Sequence, residues 1–142
     1  MIQLMDTDHF SLFTRATAEG AAIRRRLRAV APDDYGTTVV TYEEQCRGWL
    51  DKIHQAQTPE ARVEAYSLLK ENLDVFSRIA VVSYTAEADA EFVTLKKILK
   101  NKVGTKDLRI AAIAIVNEAT LLTRNTRDFA RVPGLLFDDW TV

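Results

Sequence analysis

Short apolar runs alternate with longer amphipathic segments along this chain. The runs predict strands at residues 2–5, 37–41, 80–84 and 119–123, with a fifth, edge strand at 135–140. Between the runs, apolar residues recur every three or four positions, which indicates helices. Strands that alternate with helices predict an α/β domain, with a mostly parallel central sheet of four to five strands and helices on both of its faces.

Polar residues mark where the helices begin. Thr58 and Pro59 have the pattern of an N-cap followed by proline at the first helical position, and Thr85 is expected to cap the next helix. The first helix is predicted to begin near Asp8, and the second strand is predicted to turn directly into a helix at residues 41–44. These boundaries place acidic residues close to the ends of several strands.

Length, charge and cysteine content narrow the classes of function. A chain of 142 residues, 47% of them hydrophobic, can bury a core, so a single domain over residues 1–142 is expected. The net charge of −1 means that any contact with nucleic acid must be local. The single cysteine, Cys46, cannot form an internal disulfide, and neither a secretion signal nor a membrane-length apolar run is evident, which predicts a cytoplasmic protein. Cys46 itself is predicted to be a small buried hydrophobe.

Four acids fall where a parallel sheet would bring them together. Asp6 follows the first strand, Glu44 lies in the helix after the second, and Asp128 comes shortly after the fourth. Asp107 stands in the first turn of a nearly all-apolar helix and must face a partner or a cleft. In such folds the functional crevice lies outside the carboxyl ends of the strands. Clustered carboxylates repel one another, and a hard divalent cation such as Mg²⁺ or Mn²⁺ would resolve that conflict. Each acid taken alone is more typical of a structural role in a loop or at a helix start.

Two adjacent glutamates compete for one place in this cluster. Glu43 can pair with Arg47 one helical turn later, which is a routine surface contact. Glu44 has Gly48 one turn later, which would leave space beside its carboxylate. Helical periodicity by itself places Glu44 toward solvent, so the pattern leaves the choice between the two open.

Ordered stretches of the chain resemble PIN-domain ribonucleases, specifically the VapC type of toxin from bacterial toxin–antitoxin pairs. They cover nearly the whole chain, except that residues 50–100 match only in general character. The stretches are LMDTDHFSLF at 4–13, VVTYEEQCRG at 39–48, VGTKDLRIAA at 103–112, LLTRNTRDFARVPGL at 121–135 and FDDW at 137–140. The resemblance implies a PIN-like, three-layer α/β/α domain.

The resemblance also implies which acids hold the metal. In the family, the positions that match Asp6, Glu44 and Asp107 bind Mg²⁺ or Mn²⁺, which selects Glu44 from the two glutamates. Many relatives carry an aspartate directly after the fourth strand, where this chain has Asn125, with Asp128 three residues later. Asp128 is therefore expected to complete the site, with Asn125 as the alternative. Asp8 is expected either to be a helix N-cap or to lie outside the acids that bind the metal directly.

The implied activity is hydrolysis of structured RNA, at a tRNA or rRNA loop, by a metal-activated water. The implied partners are the RNA, a cognate VapB-type antitoxin that covers the acidic groove, and a second copy of the chain in a homodimer. Hydroxyl groups near the phosphate are expected from Thr7, Ser11 and Thr123.

Basic and imidazole side chains are harder to assign from sequence. A run of arginines on the second helix either contacts RNA or forms a solvated face, the second being the commoner arrangement. His9 is expected to be a partly exposed packing residue beside Phe10. The arginines of the run are Arg24, Arg25, Arg26 and Arg28.

Two other functions fit parts of the same sequence. A phosphatase of the haloacid dehalogenase type also begins with a strand followed by Asp-x-Asp, and would use Asp6 as a nucleophile. It would need a later lysine at a helix start, where Lys106 is available, but would leave Glu44 and Asp107 without roles. The second alternative is a PIN-like module that only binds a partner.

Overall fold

A five-stranded parallel sheet forms the centre of the computed structural model, which describes residues 2–142. The strands lie in the order β3-β2-β1-β4-β5. They are β1 (Gln3–Met5), β2 (Tyr35–Thr38), β3 (Ala80–Val82), β4 (Thr120–Leu122) and β5 (Leu136–Asp138). The predicted parallel α/β architecture, with its fifth strand at an edge, is confirmed.

Helices connect the strands and cover both faces of the sheet. They are α1 (Thr7–Phe13), α2 (Ala18–Leu27), α3 (Val39–Gln55), α4 (Pro59–Phe76), α5 (Ala86–Leu99), α6 (Thr105–Val116) and α7 (Thr126–Phe129), with a 3₁₀ turn at Pro32–Asp34. None of the helices in the described part of the chain is long and apolar enough to cross a membrane.

The two faces of the sheet pack into separate cores. In β1, Leu4 faces a cluster built mainly from α5 and α6, whereas Met5 faces a cluster built from α1, α2 and the end of α4. The same alternation in β4 sends Leu121 to the first cluster and Leu122 to the second. Successive side chains of a strand point to opposite faces, so these short, fully apolar strands are buried on both sides. This arrangement confirms the three-layer architecture.

Capping side chains set where the helices begin. The Thr58 hydroxyl accepts from the Ala61 N–H, and Thr85 makes the equivalent bond, as predicted. The first helix is different, because Asp6 and not Asp8 is its N-cap: the Asp6 carboxylate accepts from the His9 N–H. The expectation that Asp8 caps this helix was wrong.

The boundary between β2 and α3 also differs from the sequence prediction. The strand ends at Thr38, whose hydroxyl accepts from the Thr41 N–H and caps a helix that begins at Val39. The β-branched run at residues 37–41 is typical of a strand, but this cap ends the strand early and makes the last three of its residues helical. Glu44 therefore lies in the second turn of α3 and not at the junction.

One prediction about the core was wrong. Cys46, expected to be buried, is half-buried, and two other residues of the apolar stripe of α3, Tyr42 and Leu50, are exposed, with Leu50 56% accessible. The stripe packs on α4 and not on the sheet, since the Tyr42 ring lies edge-on to Phe76. A two-helix contact of this kind covers less of each side chain than a sheet does.

Candidate active site

Asp6 lies at the end of the central strand, where β1 has β2 on one side and β4 on the other. Asp6 is 5% exposed, and its Oδ1 accepts a hydrogen bond from the His9 N–H at 2.8 Å. Burial raises the pKa of this carboxyl from 3.8 to about 6, although the His9 N–H and the Thr123 side chain favour the ionised form. Asp6 is thus a buried acid whose charge is only partly compensated.

Glu44 comes to the same edge from α3. The Thr7 hydroxyl donates to Glu44 Oε1 at 2.6 Å, and the Thr41 hydroxyl lies 3.1 Å from Thr7 Oγ1. Because Thr7 follows Asp6 directly, these bonds tie the glutamate to the residue beside the first acid. The predicted choice of Glu44 is consistent with this position.

Glu43 points into a different environment. Its carboxylate accepts from Lys106 at 2.5 Å and from Arg47 at 2.9 Å. The hydrogen bond from Lys106, followed by the charges of Lys106 and Arg47, lowers the pKa of Glu43. The predicted Glu43–Arg47 pair is confirmed, and Lys106 is a second partner that sequence reasoning did not assign to it.

Asp107 is the third acid, in the first turn of α6 after the N-cap Gly104. Burial raises its pKa, and the nearby charges of Glu44 and Asp128 raise it further. The charge of Asp107 in turn raises the pKa of Asp6. The four acids predicted from sequence therefore act on one another through their charges, as expected for acids from separate elements that meet at one edge of the sheet.

Asn125 and Asp128, the two candidates for the fourth position, are hydrogen-bonded to each other beside these acids. The Asn125 amide donates to Asp128 Oδ2 at 3.2 Å, and the Asn125 N–H is bonded to the Thr123 hydroxyl at 2.9 Å. Thr123 is fully buried next to Asp6. The segment after β4 thus brings one acid and two polar side chains to the edge.

The donor set fits a hard divalent cation. Within residues 2–142, no group of three or more His, Cys, Asp or Glu side chains has the geometry of a ready-made metal site. Across that same range, no lysine or arginine forms an ion pair with Asp6, Glu44 or Asp107, since Lys106 binds Glu43 and Arg124 binds Asp8. Carboxylates without a paired cation, of which Asp6 and Asp107 have raised pKa values, are the arrangement that Mg²⁺ or Mn²⁺ stabilises.

A sequence model of the PIN domain matches residues 4–135. This chain belongs to the PIN domain family. The match confirms the resemblance stated from the sequence motifs, and it includes the three acids at positions 6, 44 and 107.

Named relatives and solved structures agree with this assignment. Ribonuclease VapC1 of Haemophilus influenzae strain R2866 is 28% identical over 144 residues, which cover 99% of each chain. Ribonuclease VapC2 of Rickettsia felis is 36% identical over 72 residues, which cover 48% of this chain and 54% of that protein. The structure of VapBC-1 from nontypeable Haemophilus influenzae is similar with a TM-score of 0.72 and 26% identity over all of both chains. The structure of Rickettsia felis VapBC2 bound to a DNA fragment from its promoter is similar with a TM-score of 0.75 and 22% identity over 99% of both chains.

Two of the three predicted hydroxyl groups lie among the acids of this PIN domain. Thr7 bonds Glu44, and Thr123 lies beside Asp6. The Ser11 hydroxyl instead accepts from the Gln45 amide at 2.9 Å and lines a separate groove between α1, α3 and α4. Ser11 is therefore placed away from the acids.

The arginines of α2 divide into two kinds. Arg24 donates to the backbone carbonyls of Phe13 and Arg15, both at 2.8 Å. Arg26 donates to the Val142 carbonyl at 2.8 Å and lies over the Trp140 ring. The other two members of the run, Arg25 and Arg28, are exposed.

This division predicts different effects of alanine substitution. Arg24→Ala is expected to lower the free energy of unfolding by about 1–2 kcal/mol, because two backbone carbonyls lose a charged donor. Arg25→Ala is expected to leave it unchanged. Urea unfolding of both variants checks this, and an equally stable Arg24→Ala protein would show that its two bonds contribute nothing.

His9 is the residue whose environment sequence reasoning missed. It is fully buried, not partly exposed, and its Nε2 accepts the Trp140 N–H at 3.2 Å. The contact joins positions 131 residues apart, which no local pattern reports.

Proposed function

We propose that this PIN domain is a divalent-metal-dependent endoribonuclease and the toxin of a toxin–antitoxin pair. The observation that carries the proposal is the convergence of Asp6, Glu44 and Asp107 at the carboxyl edge of the sheet with no cation of the described chain paired to them. The names of the relatives, which are ribonucleases, support RNA as the substrate.

The three acids would hold Mg²⁺ or Mn²⁺. When bound, the ion lowers the pKa of a water molecule and offsets charge on the phosphate, so that no side-chain nucleophile is needed. Thr7 orients Glu44, and the His9 N–H fixes Asp6 Oδ1. Asp128, held by Asn125, adds negative charge at the outer side of Asp107 and is proposed to act through a water.

The proposed substrate is a structured RNA with an accessible loop, of the tRNA or rRNA class. Single-stranded loops present unstacked bases that a protein can distinguish, whereas the deep groove of an RNA helix cannot be read. Because the net charge is −1, phosphate contacts must be local. Arg25 and Arg28 are the members of the α2 run free to make them, since Arg24 and Arg26 bond the backbone.

The proposed partner is an antitoxin of the VapB type that covers the acidic edge. The similar structures from Rickettsia felis and Haemophilus influenzae are those of VapBC2 and VapBC-1, which supports this proposal. We further propose that residues 1–142 act as one domain, in the cytoplasm, and as a homodimer. Gel filtration that gave only a monomer at micromolar concentration would contradict the homodimer.

The phosphatase alternative is not favoured by the contacts of the site. Such an enzyme needs a lysine beside its nucleophilic aspartate, and Lys106 is bound to Glu43. Lys106 is thus paired with Glu43, whereas Thr7, next to Asp6, bonds Glu44, so Asp6 would lack this partner.

Brief expression in bacterial cells tests the proposed function. The wild-type protein is expected to stop growth and to create new 5′ ends at loop positions of one class of RNA. Asp6→Ala is expected to do neither. Identical 5′ ends with both proteins, or release of phosphate from a small phosphomonoester without any RNA cleavage, would overturn the proposal.

A further inference from the structure

The imidazole of His9 lies between Asp6 and the segment at residues 138–142. It belongs to α1, one helical turn after Asp6, and is completely buried. On one side its Nδ1 is 3.8 Å from Asp6 Oδ1, and on the other its Nε2 accepts the Trp140 N–H at 3.2 Å. His9 thus contacts a proposed metal ligand and a distant part of the chain at the same time.

The contact with Trp140 fixes the protonation of the ring. Nε2 accepts the Trp140 N–H at 3.2 Å and therefore carries no proton, so this contact holds the ring in its neutral form. A neutral ring has one nitrogen that donates and one that accepts. Because Nε2 accepts from a backbone N–H, the ring proton is on Nδ1. This nitrogen is buried, has no hydrogen-bond partner among the described residues and lies 3.8 Å from Asp6 Oδ1.

The segment that supplies this N–H is itself anchored. The Thr123 N–H donates to the Asp138 carbonyl at 2.9 Å, and the Trp140 indole N–H donates to the Asp138 carboxylate at 3.0 Å. Arg26 lies over the Trp140 ring and donates to the Val142 carbonyl. The partner of Nε2 is therefore held in place, and with it the orientation of the imidazole.

We propose that His9 is a positioning residue for Asp6: its Nδ1–H, oriented by the Trp140 N–H and otherwise unpartnered, faces Asp6 Oδ1 and sets the orientation in which the carboxylate receives the divalent cation. This inference rests on the proposed metal-dependent function. A packing role alone would need only a side chain of similar volume. Positioning needs a donor at Nδ1.

Three substitutions separate these roles. Asparagine places an amide where Nδ1 lies, glutamine places one where Nε2 lies, and leucine fills volume without any polar group. The expected result is that His9→Asn keeps Mn²⁺ affinity close to that of the wild type. His9→Gln and His9→Leu are expected to bind Mn²⁺ about 10- to 100-fold more weakly, as when an outer partner of a metal ligand is lost.

Titration calorimetry with Mn²⁺ on the purified full chain measures these affinities, and circular dichroism checks that each variant is folded. In RNA cleavage, the activity lost in His9→Gln should return at high Mn²⁺ concentration, which a purely structural defect would not allow. Equal Mn²⁺ affinity in all folded variants, with or without a change in thermal stability, would overturn the positioning role. Should His9→Leu not fold, the comparison of His9→Asn with His9→Gln decides the question by itself. A wild-type chain that neither binds Mn²⁺ nor cleaves RNA would overturn the proposed function, and the positioning role with it.

Discussion

Asp6→Asn and Asp107→Asn are each expected to lower the rate of RNA cleavage by more than about 100-fold, since loss of an outer partner of a metal ligand alone costs roughly 10- to 100-fold. Both side chains are proposed metal ligands, and an amide cannot supply the anionic oxygen. Asparagine caps helices as well as aspartate does, so Asp6→Asn should keep α1 intact. Initial rates of cleavage with Mg²⁺, on proteins shown to be folded, give the measurement.

The matched control is Glu43→Gln, one residue from Glu44. Glu43 is bound to Lys106 and Arg47, and its charge is not among those that raise the pKa of Asp107. Loss of such exposed pairs costs at most about 1 kcal/mol, so the rate should stay within about fivefold of the wild type. A wild-type rate in Asp6→Asn, or an equal loss in Glu43→Gln, would show that the proposed ligand set is wrong.

The contribution of Asp6 to the stability of the metal-free protein should become more favourable as the pH falls from about 7 toward 4. The pKa of Asp6 is raised from 3.8 to about 6 by burial, so the folded state favours the neutral acid more than the unfolded state does. The ionised carboxylate therefore costs stability above pH 6, and this cost disappears as the acid is protonated. Asp6→Asn removes the cost and is expected to raise the free energy of unfolding at pH 7.5 by up to about 3 kcal/mol.

Urea unfolding in EDTA at pH 7.5 and at pH 4.5 measures this effect. The advantage of Asp6→Asn should shrink at the lower pH, and addition of Mg²⁺ at pH 7.5 should stabilise the wild type but not the variant. The control is Asp8→Asn, because Asp8 is exposed and paired with Arg124. An Asp6→Asn protein no more stable than the wild type at pH 7.5 would show that burial of this acid carries no cost.

The fold and part of the site were predictable because they depend on local patterns. Apolar runs predicted the strands. The rule that functional groups follow the carboxyl ends of parallel strands pointed to Asp6, and the first turn of a nearly all-apolar helix pointed to Asp107. Glu44 could not be chosen over Glu43 from periodicity. Its position is set by Thr7 from another helix, and by Lys106, which binds the competing glutamate.

The errors come from contacts that join distant parts of the chain. The strand β2 was placed too late because Thr38 caps α3 within a run of β-branched residues. His9 was expected to be partly exposed because its partner, Trp140, lies 131 positions away. Arg26 was similarly grouped with its neighbours as one surface, although it bonds Val142 at the other end of the chain.

Cleavage of total bacterial RNA by the purified protein, first stripped with EDTA and then supplied with Mg²⁺ or Mn²⁺, tests the central claim most directly. The claim predicts no cleavage by the stripped protein and a return of discrete cleavage products with either ion. It also predicts that Asp107→Asn, prepared in the same way, produces none of these products. Cleavage that persisted in EDTA, or that Asp107→Asn performed at the wild-type rate, would contradict a metal-dependent ribonuclease built on these acids.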